Sequence, residues 1–542
     1  MRGVLVALTI GVAAILRLWG IGFGLPHDFA RPDEERIAAA ALRVFQGDLN
    51  PHFFLYPTLF IYFTAAAYVV QFAVERVVGT TATAAEFVAH AVADPARLFL
   101  VARELSAVTG ILTVAALYGA AREILSRRAA LVAAAFLAVA FLHVRDSHFG
   151  VTDVPVTLLV VCAFWAAARC ATRGVTWPRM AIAGLLCGLA ASTKYNAVLV
   201  AAAALVPVVR GAFPLTPESA ARHASLVAGF GLCLALGFLI GTPFAVFDRP
   251  DFVQEISAQR RIVFDQQHST IIDAAWLVNG DRGWRHHLLF SLRHGVGLPL
   301  LVTAVVGACW IVRDQPWLAA LILSFPVVFY AVMGSSQLAY ARWVVPIVPF
   351  LCLTAAALID GIADLLEPVL AGPGGATAVV VALAAVVAAP TVAQSVAFDR
   401  LVARTDTRVL GARWIETRFP SGASLFQTGR AYGYLQPRPR DRYPQVAFDE
   451  RSGVFVAEGR QLSAAPDLVV VLDSPLVIFS QAPEQLVPAL DRQFLLAATF
   501  TGIATSQPSD AVYDQQDAFY VPFDYFSGVR RPGPTVRIFV RR

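Results

Sequence analysis

Phe60-Ile61-Tyr62-Phe63-Thr64-Ala65-Ala66-Ala67-Tyr68-Val69-Val70-Gln71-Phe72-Ala73-Val74-Glu75-Arg76-Val77-Val78 decides how this chain is laid out. The stretch is long enough to cross a bilayer, yet Gln71, Glu75 and Arg76 load its end with polar groups. If it lies along the interface, the next segment, Ala96 to Ala121, ends at Arg122, Arg127 and Arg128 in the cytoplasm. Later short loops then alternate, with Arg169, Arg173 and Arg179 inside, Arg210 and Arg222 inside, and Arg313 inside. The opposite short loops hold only Arg145, Lys194 and Arg342. A full span would turn the arginine-rich loops outward, so the positive-inside rule favours the interfacial reading.

The composition demands such a reading. With 542 residues, 57% hydrophobic, 15% charged and a mean hydropathy of +0.63, the chain is too apolar for a soluble protein. Beside the first segment, Val4 to Phe23, and Ala96 to Ala121, spans are expected near 129–144, 154–172, 179–192, 195–210, 223–243, 296–312, 316–333, 341–360 and 376–396. That makes eleven spans and one lying helix. No small-residue cleavage site follows the first segment, so it is expected to stay as a helix with its N-terminus in the cytoplasm. The net charge of +5 is dispersed over loops, which excludes a nucleic-acid-binding surface and indicates contact with lipid headgroups. All six cysteines fall inside expected spans and form no disulfide framework. Of 43 Lys plus Arg, Lys194 alone is lysine.

From about Thr391 the composition turns soluble. Asp406-Thr407-Arg408 opens an amphipathic helix, Pro420-Ser421-Gly422 makes a turn, and strand-like runs follow at Ser424 to Gln427, Leu468 to Leu472 and Val536 to Val540. The expected class is an all-α polytopic membrane protein over residues 1–397, with interfacial helices in its first outer loop. Residues 398–542 form a small α/β domain, placed outside by the odd number of spans.

Under this topology the unusual polar residues gather on one face. Ala30-Arg31-Pro32-Asp33-Glu34-Glu35-Arg36 stands at the mouth of the first span. A helix dipole alone would account for Asp33, Glu34 and Glu35 in a first turn. Arg145-Asp146-Ser147-His148-Phe149-Gly150-Val151-Thr152-Asp153 is a tight loop on the same side, in which Asp153 reads as an N-cap but Asp146 has no such explanation. Lys194 interrupts two short apolar helices, and Arg342 opens a span beside Tyr340 and Trp343. Snorkelling and interfacial anchoring would account for these last two. Charges kept in a bundle more often mark substrate pathways.

At this point the sequence resembles the lipid-phosphate-dependent, C-type (GT-C) glycosyltransferases, in the branch of bacterial relatives of protein O-mannosyltransferases and lipid A aminoarabinose transferases. The resemblance covers roughly residues 1–400. It rests on Arg31 to Glu34 after the first helix, Tyr56-Pro57-Thr58-Leu59 entering the lying helix, Arg103 with Ser106 and Gly110, and Ser147 to Asp153. Lys194, Thr242-Pro243 followed by Phe247-Asp248 and Phe252, and Arg342 to Pro349 add to it. Two departures stand out: Tyr56-Pro57 replaces a double proline, and no Glu-Lys pair precedes it.

The resemblance implies a sugar donor on a polyprenyl phosphate and a hydroxyl on a protein, lipid or glycan acceptor, at the outer face of the bacterial inner (plasma) membrane. Asp33 would be the general base, with Glu34 beside it holding the acceptor, and Asp146, His148 and Asp153 would form the acceptor or metal region. Lys194, Arg342, Arg260 and Arg261 would bind the lipid phosphate. No cofactor is certain; some relatives use a divalent metal, which Asp33, Asp146, His148 and His268 could hold. The competing class is a transporter or flippase of lipid-linked sugars. An internal repeat and polar residues at the bilayer midplane would favour it, and neither is found.

Overall fold

The computed structural model describes residues 2–212, 216–264, 282–369, 373–480, 482–504 and 510–542. The segments expected to span are helical. They run Arg2–Leu18, Ala96–Ile124, Arg127–Val139 with Phe141–Asp146, Asp153–Arg173, Trp177–Ala191, and Tyr195–Val200 with Ala201–Gly211. The remainder are Pro217–Gly241, Leu298–Asp314, Pro316–Gly334, Ala341–Ile347 with Val348–Leu366, and Pro373–Val402. Among the described residues seven helices are long and apolar enough to cross a membrane, or eight with the pair Gly283–Val296 and Leu298–Asp314, bent at 114°. The stretch expected to lie along the interface, Leu59–Val78, is one of the seven by length and composition.

The segment read as one span from 129 to 144 is broken at Ala140. The break would orphan the last carbonyls of the first half. Arg17, fully buried in the first helix, donates from Nη1 to the Ala138 oxygen at 2.9 Å and from Nη2 to the Leu137 oxygen at 3.0 Å. Ser395 donates to the Val139 oxygen at 3.0 Å, and the Phe141 amide donates to Thr391 Oγ1 at 2.9 Å. The stretch 242–295, read as a loop, is helical over Phe244–Phe247, Arg249–Phe264 and from Arg282 to Val296.

Charged residues at the helix ends pair with one another. At one end of the helix Asp153–Arg173, Arg173 donates to Glu123 Oε2 at 2.9 Å, where Arg169 also pairs. Arg128 likewise meets Asp360 at 3.0 Å and also Asp364. The other end of that helix carries Asp153, and 21 residues at 1.5 Å each separate the two ends by about 30 Å.

The chain forms two compact units. One comprises Met1–Leu18, Arg36–Ala89 and Leu98–Val396; the other comprises Trp19–Glu35, His90–Arg97 and Ala397–Arg542. The second is built on strands β1 (Leu425–Gln427), β2 (Ala447–Asp449), β3 (Val454–Ala457), β4 (Arg460–Gln461), β5 (Leu468–Asp473), β6 (Phe494–Phe500) and β7 (Thr535–Arg541). One sheet has the order β1-β5-β7-β6, with β1 and β5 parallel and the rest antiparallel; β2-β3-β4 make a second, antiparallel sheet. Because side chains alternate along a strand, Leu468, Val470 and Leu472 pack with Ala412 and Ile415 of the helix Thr407–Arg418. Val469 and Val471 face Phe426, Phe455 and Leu486 on the other side.

Candidate functional site

Asp33 stands just ahead of the helix Glu34–Phe45, not inside its first turn. Its φ is 73°, in the left-handed region, whereas an N-cap residue ordinarily sits in the β region. Such a backbone costs on the order of 1 kcal/mol for a residue other than glycine and persists only where its surroundings impose it. The surroundings belong to the C-terminal domain. Arg31 Nη1 meets Asp517 Oδ1 at 2.6 Å with side chains 0% and 2% exposed, and the Arg31 guanidinium lies 5.6 Å from the Phe519 ring centre. Glu34 is buried, and Glu35 accepts from the Tyr432 hydroxyl at 3.4 Å. The dipole explanation thus applies to Glu34 and Glu35 in the first turn, while the Asp33 backbone needs a further cause.

Arg438 ties the three segments of this unit together. It donates to Asp94 Oδ1 at 2.8 Å, to Asp28 Oδ1 at 3.2 Å and to the Pro26 carbonyl at 2.7 Å. Arg408 pairs with Asp406 at 2.7 Å and donates to the Phe29 carbonyl at 3.4 Å. Next to them His27 donates from Nε2 to the Tyr434 carbonyl at 2.7 Å and accepts the Phe29 amide on Nδ1 at 3.1 Å, an arrangement only the neutral ring can make.

Burial, with Arg408 beside it, lowers the His27 pKa to about 3, against about 6.5 in an unfolded chain. The folded form therefore refuses a proton that the unfolded form takes up below pH about 6.5. Stability from this group is complete above that pH and falls by about 1.4 kcal/mol per unit down to about pH 3. Asp406, whose carboxyl is held below its usual range by Arg408 against the effect of burial, loses its contribution in the same direction. Melting of the full chain in detergent should thus fall on acidification from pH 7 to 4, with a shallower slope in His27→Gln. An unchanged slope in that variant would remove His27 from the account.

In the other unit Asp153 gathers two cations. Lys194 Nζ lies 2.5 Å from its Oδ1, and Arg342 Nε 3.9 Å from its Oδ2. The placement has local causes. Asp153 is the first residue of its helix, Lys194 follows the helix Trp177–Ala191, and Pro346 sits in the 3-10 turn Ala341–Ile347 that presents Arg342. A Cβ on Gly188 would lie 2.1 Å from the Leu234 carbonyl oxygen, so only glycine lets the helix leading to Lys194 approach Pro217–Gly241 this closely. The Tyr340 ring centre lies 4.6 Å from the Arg342 guanidinium.

Asp146 is fully buried and takes Arg145 Nη1 at 3.1 Å, and His148 donates from Nδ1 to the Val144 carbonyl at 3.0 Å. Behind this loop Ser106 donates to the Val151 carbonyl, and a Cβ on Gly110 would come within 2.5 Å of Ser147 Oγ. Arg260 and Arg261 are exposed on the helix Arg249–Phe264, and His268 lies outside the described residues.

Residues 50 to 58 are pinned to Tyr195 and to the segment that starts at Gly241. Thr58 donates to the Gly241 carbonyl at 2.7 Å, Tyr195 to the Phe54 carbonyl at 2.8 Å, and Asn50 to Asp248 at 2.7 Å. This docking brings His52, Asp248 and Asp251 together, with ligand atoms within 4.8 Å of one another. Among the described residues Asp146 and His148 belong to no such group. The set escapes sequence reading because about 200 residues separate its members.

Comparison with known proteins fits this architecture. Residues 97–244 match the family described as dolichyl-phosphate-mannose-protein mannosyltransferase. No curated protein matches the chain. Among solved structures, apo ArnT from Cupriavidus metallidurans superposes with a TM-score of 0.55 at 15% identity, covering 98% of this chain and 97% of that one. The same protein bound to undecaprenyl phosphate gives 0.53 at 14% identity over the same shares. The chain has the GT-C glycosyltransferase fold. The apo oligosaccharyltransferase of Archaeoglobus fulgidus has a TM-score of 0.51 at 12% identity over 82% of this chain, which spans only 64% of that enzyme's length. The part of this GT-C chain that the ArnT match covers includes residues of both units, since it omits only 2% of them.

Proposed function

We propose that this GT-C protein is an inverting glycosyltransferase that moves a sugar from a polyprenyl phosphate to an acceptor hydroxyl at the outer face of the membrane. The observation that carries the reading is Asp33, a carboxylate on a left-handed backbone two residues after a buried ion pair. Asp33 takes the proton of the acceptor hydroxyl as its oxygen attacks the anomeric carbon. The bond from that carbon to the phosphate oxygen breaks on the opposite side, and its electron pair leaves on the polyprenyl phosphate. Glu34 holds the acceptor. Lys194 and Arg342, converging on Asp153, neutralise the phosphate, which needs charge more than a proton. The undecaprenyl phosphate bound by the ArnT structure supports a lipid phosphate as the leaving group. The His52, Asp248 and Asp251 group offers an imidazole and two carboxylates, a set suited to a divalent cation that would supply further charge against the phosphate.

The test is transfer of radiolabelled sugar from polyprenyl-phosphate sugars in proteoliposomes. A transferase breaks the glycosyl bond and yields free polyprenyl phosphate; a flippase moves the label between leaflets with the bond intact, and that result would replace the reading. The phosphate role predicts that Lys194→Arg lowers kcat/KM for the donor about tenfold, because a planar fork cannot reproduce a compact ammonium against Asp153. Donor titration of the variant reads this, and an unchanged value would return Lys194 to a structural ion pair.

A further inference from the structure

The C-terminal domain contains a cavity of about 740 Å³, within the range of small-molecule sites. Its wall includes Asp28 and Phe29 from the first outer loop together with residues after Phe426. Three lining residues are carboxylates, Asp28, Glu450 and Glu458, and no lysine or arginine is among them. Arg438 balances Asp28, whereas Glu450 and Glu458 are exposed. The lining therefore disfavours phosphate-bearing ligands, the donor's headgroup among them. Gln436 and Gln445 add amides, and Phe29 and Phe448 add aromatic faces. Gln436 already accepts the Asp28 amide at 2.8 Å on its carbonyl, which leaves its NH₂ as the donor for a ligand.

An extended peptide would need an open strand edge. Strand β1, which contributes Phe426 and Gln427, is paired with β5 on one side and bridged to Gln445 on the other, and the edge strand β2, which contributes Ala447 and Phe448, is only three residues long and offers a peptide few main-chain bonds. Recognition must then come from side chains: aromatic faces for C–H surfaces, carboxylates for neighbouring hydroxyls, and amides that both donate and accept. That is the chemistry of a neutral sugar. The wall is also tied to Asp33, since Asp28 lies five residues before it in the same compact unit, a distance of at most about 18 Å.

We propose that this cavity is an acceptor subsite that holds a neutral saccharide unit of a glycan acceptor, so that a neighbouring hydroxyl is delivered toward Asp33. The proposal rests on the transferase reading for its purpose but not for its measurement. The full chain in detergent is titrated with neutral tetrasaccharides of mannose, glucose and N-acetylglucosamine, with a phosphorylated mannose tetrasaccharide, and with a lysine-rich peptide. At least one neutral tetrasaccharide should bind, the phosphorylated one at least tenfold more weakly. Glu450→Gln with Glu458→Gln, both at exposed positions, and separately Phe448→Ala should each weaken the neutral ligand tenfold or more, with melting temperature as the check on folding. No neutral saccharide bound, binding indifferent to all three substitutions, or binding of the peptide alone would overturn the subsite. Saccharide binding in a protein that never cleaves the donor would overturn the transferase reading instead, and donor cleavage without saccharide binding would overturn the subsite alone.

Discussion

Asp33→Asn should lower sugar transfer by about 10²- to 10⁴-fold while donor binding stays within about twofold, the range a positioned general base contributes. Asparagine matches aspartate in shape and tolerates a left-handed backbone, so the φ of 73° is kept and only the proton acceptor is lost. If Asp33 merely served the dipole of the helix Glu34–Phe45, the substitution would cost about 0.3–1 kcal/mol of stability and leave turnover intact. The two roles thus separate on one variant, measured for transfer and for melting. Turnover that survives would move the search for the base to the buried Asp146 and the Asp153 cluster.

The membrane part of this fold was legible because its signal is local. Runs of apolar residues fix where helices form, and the bias of arginines to alternate loops fixes which ends meet. Arg128, Arg169 and Arg173, all expected on one side, each pair at helix ends, the first with Asp360 and the other two with Glu123. In the soluble part β1, β5 and β7 were legible for the same reason, as short aliphatic runs. Strands β2 to β4 and β6 were not: β2 to β4 run for only two to four residues, too short to show an alternation, and β4 and most of β6 are exposed. The break at Ala140 has no local signal, because the side chains that satisfy its backbone groups, Arg17, Thr391 and Ser395, lie 120 residues or more away in the chain. Long-range pairing also hid the assembly of Trp19–Glu35 with the C-terminal domain. No local feature of His27 or Arg31 announces Tyr434 or Asp517 as a partner. Lys194 was singled out by rarity, a property of the sequence, whereas its ion pair with Asp153 is a property of the fold.

Arg31→Met should destabilise the C-terminal unit by about 3–5 kcal/mol, because it leaves Asp517 buried without the cation that faces it. For a unit of this size that corresponds to a fall in melting temperature of roughly 6 °C or more. Hydrogen exchange across residues 23–33 should rise first, since Arg31 and the Phe23–Phe519 ring contact, with centres 5.5 Å apart, fasten this stretch to the domain. Replacing both partners, Arg31→Met with Asp517→Leu, should restore most of the stability, as apolar groups of similar volume commonly do for a buried pair. Transfer should not return with it. The ion pair fixes direction as well as energy: it sets the backbone two residues before Asp33, and a methionine packed on a leucine has no preferred angle to hold that turn. A double variant that regains both stability and turnover would show that burial alone positions Asp33. One that regains stability but not turnover would separate folding from positioning, and would assign the pair Arg31 and Asp517 to orienting the base.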